Sequence, residues 1–170
     1  IAGADIESAR VVATPVSHID CAPAILEAVG APSRVGGKEL PGASLFAVAN
    51  GATPSRPVIS EYHAIGSTAG AYMLRFGRYK YCHYVAYQPQ LFDLEADPEE
   101  LTDLASDPQQ ASVLAKCERR LRAALDPEAV DASAKARQAD LLPQFGGREA
   151  ALARGDLGFT PAPGTAAEMN

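Results

Sequence analysis

A chain of 170 residues has room for one domain, or a small domain with appendages, and can bury about two-thirds of the surface its extended form would expose. Its formal net charge of −6 argues against a binder of nucleic-acid backbones, and no apolar run approaches the ~18 residues that a membrane helix needs. Cys21, Cys82 and Cys117 are scattered and lack metal-ligand spacing, which favours reduced thiols in a cytosol-like, cytoplasmic setting over a disulfide framework. A chain that starts at Ile1 leaves a signal peptide on a longer parent open.

From the beginning, Arg10 to Val16 read as an extended segment, with β-branched Val11 and Val12 and with Pro15 biasing Thr14 away from helix. A helix is predicted next, capped by Ser17 or Asp20, with Pro23 in its first turn and Gly30 as its terminator. Ile19, Ala22, Leu26 and Val29 share one of its faces, which the spacing predicts to be buried. Gly30 to Gly42 read as loop, and Ser44 to Ala49 as a short helical turn before Gly51.

From Pro57 the pattern changes to strands: Pro57–Tyr62, Ala71–Phe76, Arg78–Tyr84 and Gln90–Leu94, the middle two joined by a tight hairpin at Gly77. Four strands joined by short loops predict an antiparallel sheet. Three Asp-Pro starts then predict helices at Asp97, Asp107 and Asp126, the first with Glu100 in the capping-box position. In the second, Leu114, Cys117, Leu121 and Leu125 form an apolar stripe suited to lie on the sheet. The third runs to about Gln144, before Gly146-Gly147, with a weaker stripe. A short helix from Arg148 to Arg154 and an irregular Pro/Gly tail complete the chain. The fold class is therefore α+β: a four-stranded antiparallel sheet with a helix packed on it, preceded by an earlier helix and followed by a helical tail.

The chemistry-bearing residues are few. His18, His63 and His83 are the histidines, and no Gly-x-Ser-x-Gly elbow, phosphate-binding loop or His-Glu-x-x-His is present. Asp93, Glu95, Asp97, Glu99 and Glu100 cluster, but helix capping and a solvated surface account for them without a metal. Tyr79, Tyr81, Tyr84 and Tyr87 with Arg75, Arg78 and Lys80 could suggest a single-strand nucleic-acid platform, yet strand alternation explains the pattern and the net charge opposes it.

Three stretches together carry a resemblance. Ser60-Glu61-Tyr62, then Met73-Leu74-Arg75-Phe76-Gly77-Arg78-Tyr79-Lys80-Tyr81, then Gln90-Leu91-Phe92-Asp93-Leu94-Glu95-Ala96-Asp97-Pro98-Glu99-Glu100 resemble the C-terminal region of the sulfatases, members of the alkaline phosphatase superfamily. Upstream, Pro15-Val16-Ser17-His18-Ile19-Asp20-Cys21-Ala22-Pro23 is similar to the family's D-x-x-P helix, and Pro41-Gly42-Ala43-Ser44-Leu45 to the G-x-S-L that follows it. The part from Asp126 onward is similar to the extension of bacterial sulfatases related to choline sulfatase and phosphonate monoester hydrolase.

The resemblance implies that the chain is the C-terminal part of a sulfuric ester hydrolase dependent on calcium and formylglycine. In the family, a Cys-x-Pro-x-Arg or Ser-x-Pro-x-Arg motif supplies the nucleophile. Cys21-Ala22-Pro23-Ala24-Ile25 matches its first and third positions but has Ile25 where Arg is needed, so Cys21 reads as a core or near-core thiol. No catalytic residue and no metal ligand is therefore expected here, and the fragment alone is expected to be inactive. Residues 1–52 would be the end of the α/β catalytic domain, 53–126 a C-terminal subdomain, and 127–170 a helical extension and irregular tail. The implied partners are a small-molecule sulfate ester, the catalytic domain outside this chain, and a second copy met through the helical tail, with neither nucleic acid nor membrane. His63, beside the Gly- and Ser-rich stretch up to Gly70, is the candidate substrate-binding residue, its alternative role being to cap a strand end. A phosphonate or phosphate monoester hydrolase, or a stand-alone assembly module, are the rival readings.

Overall fold

In the computed structural model the described residues are 1, 3, 6–7, 9–31, 34–35, 38–54, 56–63 and 67–153. The last of the predicted helix residues, Arg154, and the Pro/Gly tail lie outside them. Two short elements, β1 (Arg34–Val35) and β2 (Lys38–Glu39), pair antiparallel inside the stretch expected to be loop, and Arg34 bridges to Glu39 at 3.2 Å. The main sheet holds β3 (Val58–Tyr62), β4 (Ala71–Phe76), β5 (Tyr79–Tyr84) and β6 (Gln90–Asp93) in sequence order, every neighbour antiparallel. All four strands lie where alternation placed them. The Gly77-Arg78 turn sets the β4–β5 register, pairing Phe76 with Tyr79 and Leu74 with Tyr81.

That register puts Tyr72, Leu74, Tyr81 and Leu91 on one face, and each is at most 1% exposed. Against them lies α3 (Ala111–Ala124), entered through a 3-10 turn whose N-cap Asp107 accepts from the Gln109 N–H at 2.8 Å. Its predicted stripe is the core: Cys117 and Leu121 are fully buried, with Leu114 and Leu125 packed beside them. A buried side chain of Leu size stabilises by about 1.5–3 kcal/mol, so this face holds the sheet and helix together. Phe76 extends the contact outward, where the Arg120 guanidinium stacks 3.9 Å from its ring centroid.

The first Asp-Pro start does not make a helix. After Asp97 the chain turns, and Glu100 takes a positive φ of 57°, which ends any helix after one turn. The Asp97 carboxylate accepts from Thr102 N–H at 2.8 Å, and Glu100 pairs with Lys80 on β5 instead of reaching back as a capping-box partner. Leu104 N–H then donates to Leu91 O at 2.8 Å, fastening the segment to the edge strand.

The third start does what its sequence suggests. Asp126 accepts from Ala129 N–H at 3.0 Å and opens α4 (Pro127–Leu141), which ends in a 3-10 turn at Leu142–Phe145 before α5 (Gly147–Ala153). Arg122 of α3 grips Glu128 of α4 with two hydrogen bonds, 2.7 and 2.9 Å, setting the angle between the helices.

The amino-terminal part is built differently. A 3-10 turn, His18–Asp20, leads into α1 (Cys21–Ala28), and Gly30 ends the helix with φ 68°. The predicted buried stripe is mostly exposed: Ile19 and Val29 are 43% and 70% exposed, Ala22 is exposed and Leu26 is half-buried, while Ile25 beside them is 63% exposed. What is buried is the opposite edge, Asp20, Pro23 and Ala24, turned toward α2 (Leu45–Ala49). The spacing groups Ile19, Ala22, Leu26 and Val29 on one face, but among the described residues only Leu26 of them is half-buried. Arg10 to Val16 pair with no strand among the described residues, and Val11 is 94% exposed.

Candidate functional site

Two polar constellations stand out, one at each end of the sheet region. The first centres on Asp20, whose side chain is fully buried. Of the two caps the sequence offers, Ser17 stands at the N-cap of the 3-10 turn in a capping box with Asp20, and the Asp20 side chain makes no cap bond to α1. One oxygen accepts from Ser17 N–H at 2.7 Å; the other accepts from Ala43 N–H at 2.8 Å and pairs with Arg56. Burial alone would raise this carboxyl, but the two N–H donors and the guanidinium outweigh it and hold Asp20 below the ordinary Asp value of 3.8. Gly42 sits so close to this turn that a Cβ there would lie 2.1 Å from Ile19 O, leaving room for no other residue. Asp20 thus joins three pieces of chain far apart in sequence. The Ser17-x-x-Asp20 spacing was the signal for the local half of this knot; nothing foretold Arg56.

The second constellation is around His63, at the end of β3. Its ring stands edge-on to Tyr72, centroids 5.4 Å apart, and Nε2 lies 3.6 Å from Glu61. Both ring nitrogens are buried with no hydrogen-bond partner among the described residues, as is Nε2 of His83, whose ring lies 6.3 Å from that of Tyr72. Tyr72 donates its hydroxyl to Pro127 O at 2.9 Å, and burial, with Glu61, Asp131, Glu128 and Asp126 nearby, pushes that hydroxyl up to about 12. Asp131 accepts from Gly70 N–H at 2.7 Å and from Lys135 at 2.8 Å. The Lys135 bond is the main reason its carboxyl stays below the usual range; the Gly70 N–H adds to it against the desolvation. Gln138 donates to His63 O at 2.9 Å. Between these groups lies a cavity of about 10 Å³, the size of one water, lined in part by His63, Gly70, Asp131 and Gln138.

His63 was singled out from sequence; Tyr72, Asp131, Lys135 and Gln138 were not. The available signal was the i, i+4, i+7 polar row Asp131, Lys135, Gln138 on a helix whose apolar stripe is weak. His18 and Cys21 fall elsewhere, on an open cleft of about 350 Å³ shared with Leu45, Val58 and Ser60. Cys21 is half-buried there, while Cys82 and Cys117 are buried. The acidic cluster is occupied: Asp93 is bound by Arg78 at 2.6 Å, which lowers its carboxyl, and Glu100 by Lys80. Tyr79 and Tyr81 pack into the core instead of forming a stacking platform. Among the described residues no three His, Cys, Asp or Glu side chains stand together as metal ligands would. No helix among them is long and apolar enough to cross a membrane. The donor set among the described residues does not fit a calcium ion, nor does Cys21-Ala22-Pro23-Ala24-Ile25 fit a formylglycine motif.

Residues 3–126 match the sequence profile of the family described as N-sulphoglucosamine sulphohydrolase, C-terminal. The chain belongs to this sulfatase family. Choline-sulfatase of Rhizobium meliloti is 39% identical over 89 residues, covering 52% of this chain and 17% of that protein. Arylsulfatase K of Mus musculus is 36% identical over 112 residues, covering 59% of this chain and 20% of that protein. The crystal structure of a putative sulfatase from Bacteroides thetaiotaomicron superposes with a TM-score of 0.51 at 29% identity, over 59% of this chain and 22% of that one. The chain spans about a fifth of the length of these relatives. In the sulfatase frame, the Asp20 knot acquires a meaning that sequence order hides. It ties the D-x-x-P helix to the G-x-S-L turn through the Ala43 N–H.

Proposed function

We propose that these residues are the C-terminal part of a calcium- and formylglycine-dependent sulfuric ester hydrolase, supplying scaffold and one wall of the pocket for a small-molecule sulfate ester. The nucleophile and the metal site would lie in the remaining four-fifths of the parent. The observation that carries this reading is the unbroken family match from residue 3 to 126, which runs through α1, α2, the whole sheet and α3. In this division residues 1–52 close the catalytic domain, 53–126 form the C-terminal subdomain and 127–170 extend it. The outward apolar stripe of α1, with the groove of about 590 Å³ bounded by Ile6, Val12, Val16, Leu45 and Val48, supports docking of the catalytic domain on this side.

His63 is the substrate-facing residue in this reading. Among the described residues neither buried ring nitrogen has a hydrogen-bond partner, Glu61 standing 3.6 Å from Nε2, and such an imidazole is costly to keep unless a partner arrives from elsewhere. The cytoplasm suits the three unpaired thiols, and the exposed outer face of α4 offers a surface for a second copy.

The test is hydrolysis of a chromogenic aryl sulfate with calcium by the longer parent, beside an intact-mass measurement. Turnover by a protein far heavier than 17.8 kDa, and none by the 170-residue chain, is the expected result. Turnover by the 170-residue chain itself would overturn the placement of the nucleophile elsewhere. Preference for an aryl phosphonate over the sulfate would overturn the substrate class.

A further inference from the structure

Helix α4 begins where the family match ends, at residue 126, yet it is not an appendage. Its inward row reaches across to both ends of the β3–β4 connection. Gln138 holds the His63 carbonyl at 2.9 Å, and Asp131, one and a half to two turns earlier on the same face, holds the Gly70 N–H at 2.7 Å. At the foot of the row the Pro127 carbonyl receives the Tyr72 hydroxyl, the residue against whose ring His63 stands. Packing at the far end admits no slack: a Cβ on Gly70 would lie 2.9 Å from His63 Cε1 and 3.2 Å from Asp131 Oδ1.

Two features separate this arrangement from ordinary helix docking. The buried positions of α4 are Pro127 and the carboxylate Asp131, so the contact is made by directed bonds more than by an apolar stripe. Those bonds also go to backbone groups at His63 and Gly70, while among the described residues the His63 ring nitrogens have no hydrogen-bond partner. Asp131, shared between the Gly70 N–H and Lys135, and Gln138 on the His63 carbonyl fix the backbone beside the imidazole without bonding its ring.

We infer that α4 is a clamp that sets the position of His63, with Asp131 and Gln138 as its positioning residues. The inference rests on the reading of His63 as substrate-facing and adds a specificity element supplied from outside the family-matched segment. Its place on the helix makes Gln138 dispensable for folding, since it is exposed and its loss removes one bond.

The experiment uses the full-length parent with Asp131→Ala, Asp131→Asn, Gln138→Ala and His63→Ala, reading amide exchange at Gly70 and steady-state kinetics on an aryl sulfate. In Asp131→Ala the Gly70 amide should exchange about tenfold faster, as expected when a charge-assisted bond is lost locally. KM should rise several-fold with kcat nearly unchanged. Gln138→Ala should raise KM in the same direction but less, and Asp131→Asn, whose side-chain oxygen still accepts, should restore most of both. Unchanged exchange in Asp131→Ala would overturn the clamp. So would faster exchange with an unmoved KM while His63→Ala raises KM, because His63 would then be poised without α4. If His63→Ala itself leaves KM unmoved, the reading of His63 falls, and the clamp's role in the pocket falls with it whatever the exchange shows.

Discussion

The sheet with α3 and the segment from Arg10 to Gly51 are held together in opposite ways. In the first, apolar side chains from four strands and a helix find each other: Leu74, Leu91, Cys117 and Leu121 are wholly buried. In the second, Val11, Val16, Ile19, Ile25 and Val29 are exposed, and the structure is tied by a carboxylate, Asp20, its two N–H donors and Arg56. A hydrophobic core tolerates some repacking, whereas a buried charge does not tolerate the loss of its partners. The two regions should therefore fail differently.

The largest effect is expected in the core. Leu121→Ala removes a fully buried side chain between α3 and the sheet and should cost about 2–5 kcal/mol, measured by urea unfolding followed through tyrosine fluorescence. A loss under 1 kcal/mol would mean that the stripe is not what seats α3. Next, Asp20→Ala should cost about 3 kcal/mol by stranding Arg56 and two N–H groups. It should also change the acid limb. Because the folded Asp20 carboxyl lies below its ordinary value of 3.8, its contribution is present above about pH 4 and is lost as pH falls through the folded value. Melting temperatures taken from about pH 5 down to about pH 2 should therefore fall less steeply in Asp20→Ala than in the parent sequence. Parallel curves would break the comparison, since Asp20 would then be a spectator.

A smaller effect, of opposite sign, is expected on the sheet side. Ala86 has φ 67° in an exposed turn after β5, a conformation that costs a residue bearing a Cβ about 1 kcal/mol. Ala86→Gly should raise stability by up to that amount in the same urea measurement. A fall would show that the entropy lost by glycine exceeds the strain relieved.

How much of this could be read from sequence follows the same division. Strand alternation and the Asp107-Pro108 start are local signals, and both foretold the sheet and the α3 stripe because each element's partner lies nearby in the chain. Asp97-Pro98-x-Glu100 carried the same capping signal and failed, since Lys80 from another strand draws Glu100 away and the backbone turns left-handed at Glu100. His63 was reachable as a histidine beside a Gly/Ser-rich stretch. Asp131 and Gln138, about seventy residues further on, were not, because nothing in a helix's own periodicity says which backbone groups its polar row will meet. Asp20 lay between these cases: its bond to Ser17 is a local capping pattern, whereas Arg56 joins it only through the fold.

The smallest local effect, and the sharpest use of the comparison, belongs to α1. Val29 is 70% exposed and Ile25 63%, so Val29→Ser with Ile25→Ser should change the stability of the 170-residue chain by no more than about 0.5 kcal/mol. In the longer parent the same pair should matter, because a stripe at three- and four-residue spacing is a face selected for burial. The measurement is the same double substitution in both proteins, comparing melting temperature and aryl sulfatase activity. A neutral result in the short chain with a clear loss in the long one places the catalytic domain on this face. Equal, negligible effects in both would leave the stripe without a partner in the parent and would move the docking surface to another side of the molecule.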